Sequence, residues 1–230
     1  MGGPYGPVGA VVAAAGRGVR MGGVDKVFLS LGEKPLIAWP LLALERSPLV
    51  DVVVLVVASH NLGRARELVQ ALGVHKVQEI CPGGERRQDS VRLGLQRLKG
   101  VRWVLVHDGA RPFLTQELIA AALEAAQDTG AAVPALTPTD TVKEAHGDLV
   151  ARTLDRSRLR LVQTPQAFRY ELLMEAYLQA GAEATDDASL VEALGHPVRL
   201  FPGSPSNIKV TTAYDLALAR ALLTTGEVVP

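Results

Sequence analysis

The sequence predicts one α/β domain: a Rossmann-like, mainly parallel sheet with helices on both faces, plus a β-hairpin arm for dimerisation. Three observations predict it. Short β-branched apolar runs recur, segments with helical apolar spacing separate them, and glycine-rich loops follow the runs at the edge where such sheets take ligands.

The runs are Val8 to Ala13, Asp51 to Val57, Lys76 to Ile80, Val101 to Val106 and Ala131 to Leu136, each the length of a buried strand. Between them, Leu62, Ala65, Leu68, Val69 and Leu72 form one apolar stripe, Val91, Gly94, Leu95 and Leu98 a second, and Ile119, Ala122, Leu123 and Ala126 a third. From Thr137 to Gln163 the chain turns polar, with strand-like pieces at Thr141 to Lys143 and Ala151 to Leu154. Such a segment buries little of itself, so it is either a hairpin arm (137–163) reaching a second subunit or a surface excursion. Beyond it, Tyr170 to Ala180 and Asp186 to Leu194 read as helices, Val198 to Phe201 and Ile208 to Thr211 as strands, and Ala213 to Leu223 as a closing helix. Residues 1–230 form a single unit, with 1–6 expected to be a flexible N-terminus.

A chain of 230 residues can bury roughly 70% of its unfolded surface without staples. Its one cysteine, Cys81, forms no intrachain bridge, and its five histidines are dispersed away from metal-ligand spacing. Lysine plus arginine equals aspartate plus glutamate at 24 each, which argues against broad capture of nucleic acid or anionic membrane. No apolar run reaches the roughly 18 residues of a membrane span, and the N-terminus lacks a signal-peptide pattern, so the expected location is cytoplasmic.

The segment Val8 to Met21, followed by Lys26, brings bare backbone toward phosphate: Ala13, Ala14, Ala15, Gly16 and Gly18 carry little bulk, while Arg20 and Lys26 supply full charge. Two better-known phosphate loops are excluded. The dinucleotide fingerprint needs glycine where Met21 stands and an acid where Ala58, Ser59 and His60 stand; the P-loop needs Gly-Lys-Ser/Thr, whereas Lys26 lies between Asp25 and Val27. A tight turn with solvated arginines is the alternative.

In Cys81 to Ser90, Gly83 and Gly84 permit close approach, and Asp89 and Ser90 either cap a helix or contact a ligand. Two adjacent glycines facing the first loop suit a nucleotide base or ribose. Val106 to Pro112 sets Asp108 and Arg111 beyond another strand. There Asp108 can bind sugar hydroxyls or help hold magnesium and Arg111 can clamp a phosphate, or the two can simply pair. His107 reads as packed or orienting. Lys209, in Asn207 to Thr211, is either an edge residue in water or a second cation on the reacting phosphate.

Taken in order, eight segments resemble the 2-C-methyl-D-erythritol 4-phosphate cytidylyltransferase family of the non-mevalonate isoprenoid pathway. They are Ala-Ala-Gly-x-Gly-x-Arg-Met with Lys26, Gly-Gly-Glu-x-Arg with Asp89 and Ser90, His-Asp-Gly-Ala-Arg-Pro, Asp-Thr-Val-Lys at Asp140, Leu-Asp-Arg at Leu154, Gln-Thr-Pro-Gln at Gln163, Thr-Asp-Asp-Ala-Ser at Thr185, and Asn-Ile-Lys-Val-Thr. The resemblance implies that the backbone from Ala13 to Gly18, with Arg20 and Lys26, holds the CTP triphosphate. It further implies that Gly83, Gly84, Ser90 and Gly109 contact the nucleotide, and that Arg20, Lys26 and Lys209 are catalytic. Asp108, Arg111 and Thr185 would bind the methylerythritol phosphate, joined by Thr141, Arg156 and Thr164 from the arm of a second subunit. The implied cofactor is Mg2+, held mainly by CTP phosphates, with Asp108 the one protein ligand offered.

Departures exist at Asp25 and Val27, where the family commonly has Pro-Lys-Gln around the lysine, and at Gly109, where it has alanine. Arg87 reads as an additional arginine that lengthens or shifts the Gly-Gly-Glu-Arg loop. The competing functions are cytidylyl transfer to another polyol phosphate such as ribitol 5-phosphate, a non-catalytic nucleotide-binding module, and a nicotinamide-dependent reductase, the last disfavoured by Met21.

Overall fold

The computed structural model describes residues 3–16, 25–179 and 184–225. In chain order the strands and helices are β1 (Val8–Ala14), β2 (Ser30–Leu31), β3 (Lys34–Pro35), α1 (Ala38–Arg46), β4 (Val52–Val57), α2 (Leu62–Leu72), β5 (Val77–Pro82), α3 (Arg87–Leu95), β6 (Trp103–Asp108), α4 (Gln116–Thr129) and β7 (Ala131–Leu136). There follow β8 (Lys143–His146), β9 (Leu149–Thr153), β10 (Leu161–Val162), β11 (Gln166–Arg169), α5 (Tyr170–Gln179), α6 (Asp187–Ala193), β12 (Arg199–Pro202) and α7 (Ala213–Thr225).

The main sheet runs β10-β7-β11-β6-β1-β4-β5, with β12 on the other side of β7. β6, β1, β4 and β5 are parallel neighbours, as the recurring apolar runs predict. Successive residues of these strands alternate between two cores: Ala10, Val12, Val53, Leu55 and Leu105 point to one, and Val11, Val54, Val56, Val104 and Val106 to the other. Burial on both faces explains why β1, β4 and β6 read as apolar runs; β5, at the sheet edge, exposes Gln78 and Glu79. Tyr5, in the segment expected to be flexible, packs against the first core. Among the described residues no helix is long and apolar enough to cross a membrane.

Two expectations need correction, and one strand was not expected at all. β11 runs antiparallel between β6 and β7; its polar ends, Gln166 and Arg169, hide a strand whose middle, Ala167 and Phe168, is fully buried. Ile208 to Thr211 is not a strand: it lies beside the loop after β6, where Val210 N–H donates to the Ala110 carbonyl at 2.9 Å and no ladder forms. The hairpin of the arm is β8 and β9, displaced from the predicted pieces because the turn falls at Gly147, whose φ is 59°.

One close approach sets the position of α3. A Cβ at Gly94 would lie 2.6 Å from a Val11 methyl and 2.9 Å from a Val56 methyl, so only glycine lets the helix rest on the sheet at this height. Its first residue, Arg87, is thereby carried to the carboxyl end of β6.

Candidate active site

At the carboxyl end of β1, Ala13, Ala14, Ala15 and Gly16 line a cavity of about 190 Å³. Lys26 lines it too. It opens a short 3-10 turn whose Val27 and Phe28 are only 5% exposed, so packing of its neighbours fixes where the lysine emerges. Gly18 and Arg20 lie outside the described residues.

The glycine loop meets the first loop by direct contact. A Cβ on Gly83 would fall 2.2 Å from Ala15 Cβ and 2.6 Å from Ser90 Oγ, which no side chain tolerates. The loop is then locked from within: Ser90 Oγ accepts from Gly84 N–H and donates to the Arg86 carbonyl, both at 3.1 Å, and Arg86 makes a two-pronged pair with Asp89 at 2.9 Å. Gly84 and Ser90 line the cavity. Gly109 follows the same logic: a Cβ there would sit 2.9 Å from Ala14 Cβ, and its N–H donates to the Ala13 carbonyl at 2.9 Å.

Asp108, the last residue of β6 and 6% exposed, is the centre of the charge cluster. Lys209 Nζ is 2.8 Å from Oδ2, Arg87 Nε donates to Oδ1 at 3.0 Å, and Arg111 Nε stands 3.6 Å from Oδ2. Burial alone would raise this carboxyl. Arg87, Lys209 and Arg111 outweigh it and hold the group well below the usual carboxylate range. Burial also pulls the Arg111 guanidinium below its ordinary value, only partly offset by Asp108.

A chain of hydrogen bonds beneath Asp108 fixes it. His107 Nε2 faces the Arg111 carbonyl at 3.0 Å; a carbonyl can only accept, so Nε2 carries the proton and Nδ1 accepts from the Thr164 hydroxyl at 3.1 Å. The same hydroxyl oxygen accepts from Asp108 N–H at 3.1 Å. Burial pushes His107 down to about 4 despite the bond to Arg111, so the imidazole is neutral at physiological pH. Both its nitrogens are occupied, which makes it an orienting residue and not a proton carrier. Asn207 ties the far side, donating to the Thr164 carbonyl at 2.7 Å and accepting at its own carbonyl from Arg111 Nη1 at 2.8 Å.

A second cavity, of about 470 Å³, adjoins the first. Arg111, Arg160, Thr164, Gln166, Thr185 and Asp186 contribute to it, and Arg87, Asp108 and Lys209 belong to the walls of both cavities. The arrangement offers an anion-binding loop, a polar pocket for a hydroxylated ligand, and cations where the two meet.

Most predicted residues therefore converge, with exceptions. Thr164 was expected from a second subunit; it lies 3% exposed in the wall of its own chain's site, held by His107 and Asn207. Thr141 and Arg156 are on or beside the hairpin and line neither cavity. Arg87 does not lengthen the loop; it begins α3 and bridges Asp108 to Asp187, the latter at 2.8 Å. The spacing Gly-Gly-x-x-Arg, which puts an arginine in the first turn beyond the loop, was the signal available for it. As a magnesium ligand Asp108 does not fit, because cations already engage both its oxygens, and among the described residues no group of three or more acids, histidines or cysteines could hold a metal.

A sequence model of the 2-C-methyl-D-erythritol 4-phosphate cytidylyltransferase family matches residues 8–225. The enzyme of that name from Dehalococcoides mccartyi (strain ATCC BAA-2266 / KCTC 15142 / 195) is 50% identical over 221 residues, covering 96% of this chain and 97% of its own. That from Geobacillus kaustophilus is 48% identical, covering 93% and 96%. Among solved structures, the enzyme of the same name from Thermus thermophilus superposes with a TM-score of 0.78 at 39% identity, covering 94% of this chain and 98% of that one. The 4-diphosphocytidyl-2C-methyl-D-erythritol synthase of Anaerococcus prevotii gives 0.84 at 28% identity, covering 96% and 97%.

Proposed function

Because the chain belongs to the 2-C-methyl-D-erythritol 4-phosphate cytidylyltransferase family, we propose that the paired cavities around Asp108 are where CTP and its acceptor meet. The protein is a nucleotidyltransferase: it transfers a cytidylyl group from CTP to 2-C-methyl-D-erythritol 4-phosphate, giving 4-diphosphocytidyl-2-C-methyl-D-erythritol and pyrophosphate, in isoprenoid biosynthesis. The observation that carries the site assignment is that Arg87, Asp108 and Lys209 stand in the wall common to both cavities.

In this proposal the triphosphate lies along the backbone of Ala13 to Gly16 and Gly18, with Gly83, Gly84, Ser90 and Gly109 around the nucleoside. Asp108, Arg111, Thr164 and Thr185 hold the acceptor. The acceptor's phosphate monoester has a second pKa of about 6 and is largely dianionic at neutral pH, so it attacks without a general base. A neutral, fully engaged His107 is consistent with that. The chemical need is to bring two anions together and to stabilise charge on the α-phosphate during in-line loss of pyrophosphate. Arg20, Lys26 and Lys209 are the cations assigned to it. Magnesium would arrive on the triphosphate oxygens, with no ligand assigned to the protein and no step routed through the ion.

The same proposal includes a homodimer in which Thr141 and Arg156 of the partner subunit complete the acceptor pocket. Its support is the arm itself: β9 is exposed along its whole length, and Leu149 and Val150 are 76% and 62% exposed on it. A cytoplasmic location without nucleic-acid partners also belongs to the proposal, in keeping with zero net charge. The deciding assay is pyrophosphate release with CTP, magnesium and 2-C-methyl-D-erythritol 4-phosphate, run beside ribitol 5-phosphate. Strong release with the first acceptor and little with the second is expected; the reverse ranking would refute the acceptor assignment.

A further inference from the structure

Asp187 opens α6 and is 1% exposed, yet nothing in the transfer chemistry described above uses it. Its two oxygens are both spoken for. Oδ2 accepts from Arg87 Nη1 at 2.8 Å, and Oδ1 accepts from the Tyr177 hydroxyl of α5 at 2.5 Å. Burial, with Asp187 alongside, pushes the Tyr177 phenol well above the usual tyrosine range, so it stays protonated and keeps donating.

The consequence falls on Arg87. Its Nε donates to Asp108 on β6 while its Nη1 donates to Asp187 on α6, so the guanidinium is gripped at two corners from two separate elements. A guanidinium is planar and rigid; fixing two of its donors fixes the plane and the direction of the rest. Held by Asp108 alone, the same side chain could pivot about one contact and lean into either cavity. Burial alone would lower the Arg87 pKa, but Asp187 and Asp108 outweigh it and raise it, so the clamp carries full charge at every pH of interest.

We propose that Asp187 is a positioning residue for cytidylyl transfer: anchored by Tyr177 and acting through Arg87, it fixes the Asp108 carboxylate between the nucleotide and acceptor pockets. This rests on the assignment of those pockets made under Proposed function. Asp187 lines neither cavity; its effect is on the angle at which Asp108 meets the acceptor.

The experiment is steady-state pyrophosphate release by wild type, Asp187→Asn, Arg87→Gln and the double variant, with KM measured for CTP and acceptor separately and thermal unfolding recorded in parallel. Asp187→Asn should raise the acceptor KM about tenfold while the CTP KM moves less than about twofold, since misplacing one positioned group weakens the step it serves. The double variant should be no worse than Arg87→Gln, because both substitutions break one linkage. An unchanged acceptor KM, equal rises in both constants, or multiplicative losses in the double variant would overturn the proposal. If Asp187→Asn does not fold, Tyr177→Phe removes a single donor and should raise the acceptor KM about threefold; no rise would overturn the proposal equally. Wild type that releases no pyrophosphate refutes the pocket assignment itself, and this proposal with it.

Discussion

Lys209 Nζ lies 2.8 Å from Asp108 Oδ2, although Asp108 ends a buried strand and Lys209 comes from the irregular segment between β12 and α7. The lysine side chain is 38% exposed and the aspartate 8%, so the carboxylate holds the ammonium directly on its buried side while the rest of the lysine head stays open to solvent-borne phosphate. The pair is thus a tethered cation, aimed by a buried anion.

Lys26→Ala and Lys209→Ala should each lower turnover about a hundredfold, the loss expected for a preorganised charge partner. Steady-state pyrophosphate release at saturating substrates measures this. Near-normal turnover in both variants would remove these lysines from the chemistry.

Gly83→Ala should act on nucleotide binding. Its Cβ would meet Ala15 Cβ at 2.2 Å, so one loop must retreat from the other. A rise of about tenfold in the CTP KM, with the acceptor KM little changed, is the expected pattern. A variant with unaltered CTP affinity would show that the two loops need not touch.

His107 should tie stability to mildly acid pH. Its folded pKa is near 4 and its unfolded value near 6.5. The unfolded chain therefore binds the extra proton first, and stability rises with pH across that window. Relative to its value above pH 6.5, folding should lose up to about 3 kcal/mol from this group as pH falls to 4. Chemical denaturation of wild type and His107→Gln at several pH values isolates the effect: the variant should be flatter between pH 6.5 and 4. Parallel curves would count against a buried neutral imidazole.

Sharing of the arm should be visible in hybrids. Lys26→Ala damages one chain's cavity and Arg156→Ala damages the arm lent to its partner. Randomly mixed dimers should recover about a quarter of wild-type activity, since half are hybrids and each hybrid has one intact site. Activity no greater than that of the parent variants, with subunit exchange verified, would rule out a shared site.

Much of the molecule was legible in the sequence. The strands β1, β4, β6 and β7 announced themselves because burial on both faces demands nearly uninterrupted apolar residues, whereas the edge strand β5 showed only through Val77, Ile80 and Cys81 around an exposed Gln78 and Glu79. The helix α1 did not: Ala38, Pro40, Leu41, Ala43 and Leu44 are all buried, so no polar face marks its period. Ile208 to Val210 misled for the opposite reason, since an apolar, polar, apolar alternation looks the same whether or not a ladder partner lies beside it. Asp108 could be found because it sits just beyond a strand-like run, and Lys26 because it follows the small-residue loop that such a run opens. Asp187 could not. Its partner Arg87 is 100 positions away, and nothing in either local sequence names the other.

The missing methyl group at Gly94 reaches further than its own contact. Arg87 stands at the head of the helix that Gly94 seats, so the spacing between Arg87 and Asp108 is inherited from how closely backbone rests on Val11 and Val56. The core acts as a gauge block for the charges above it. Alanine at position 94 would lift the helix without touching either ligand pocket, and the reaction would register a change made in the hydrophobic interior.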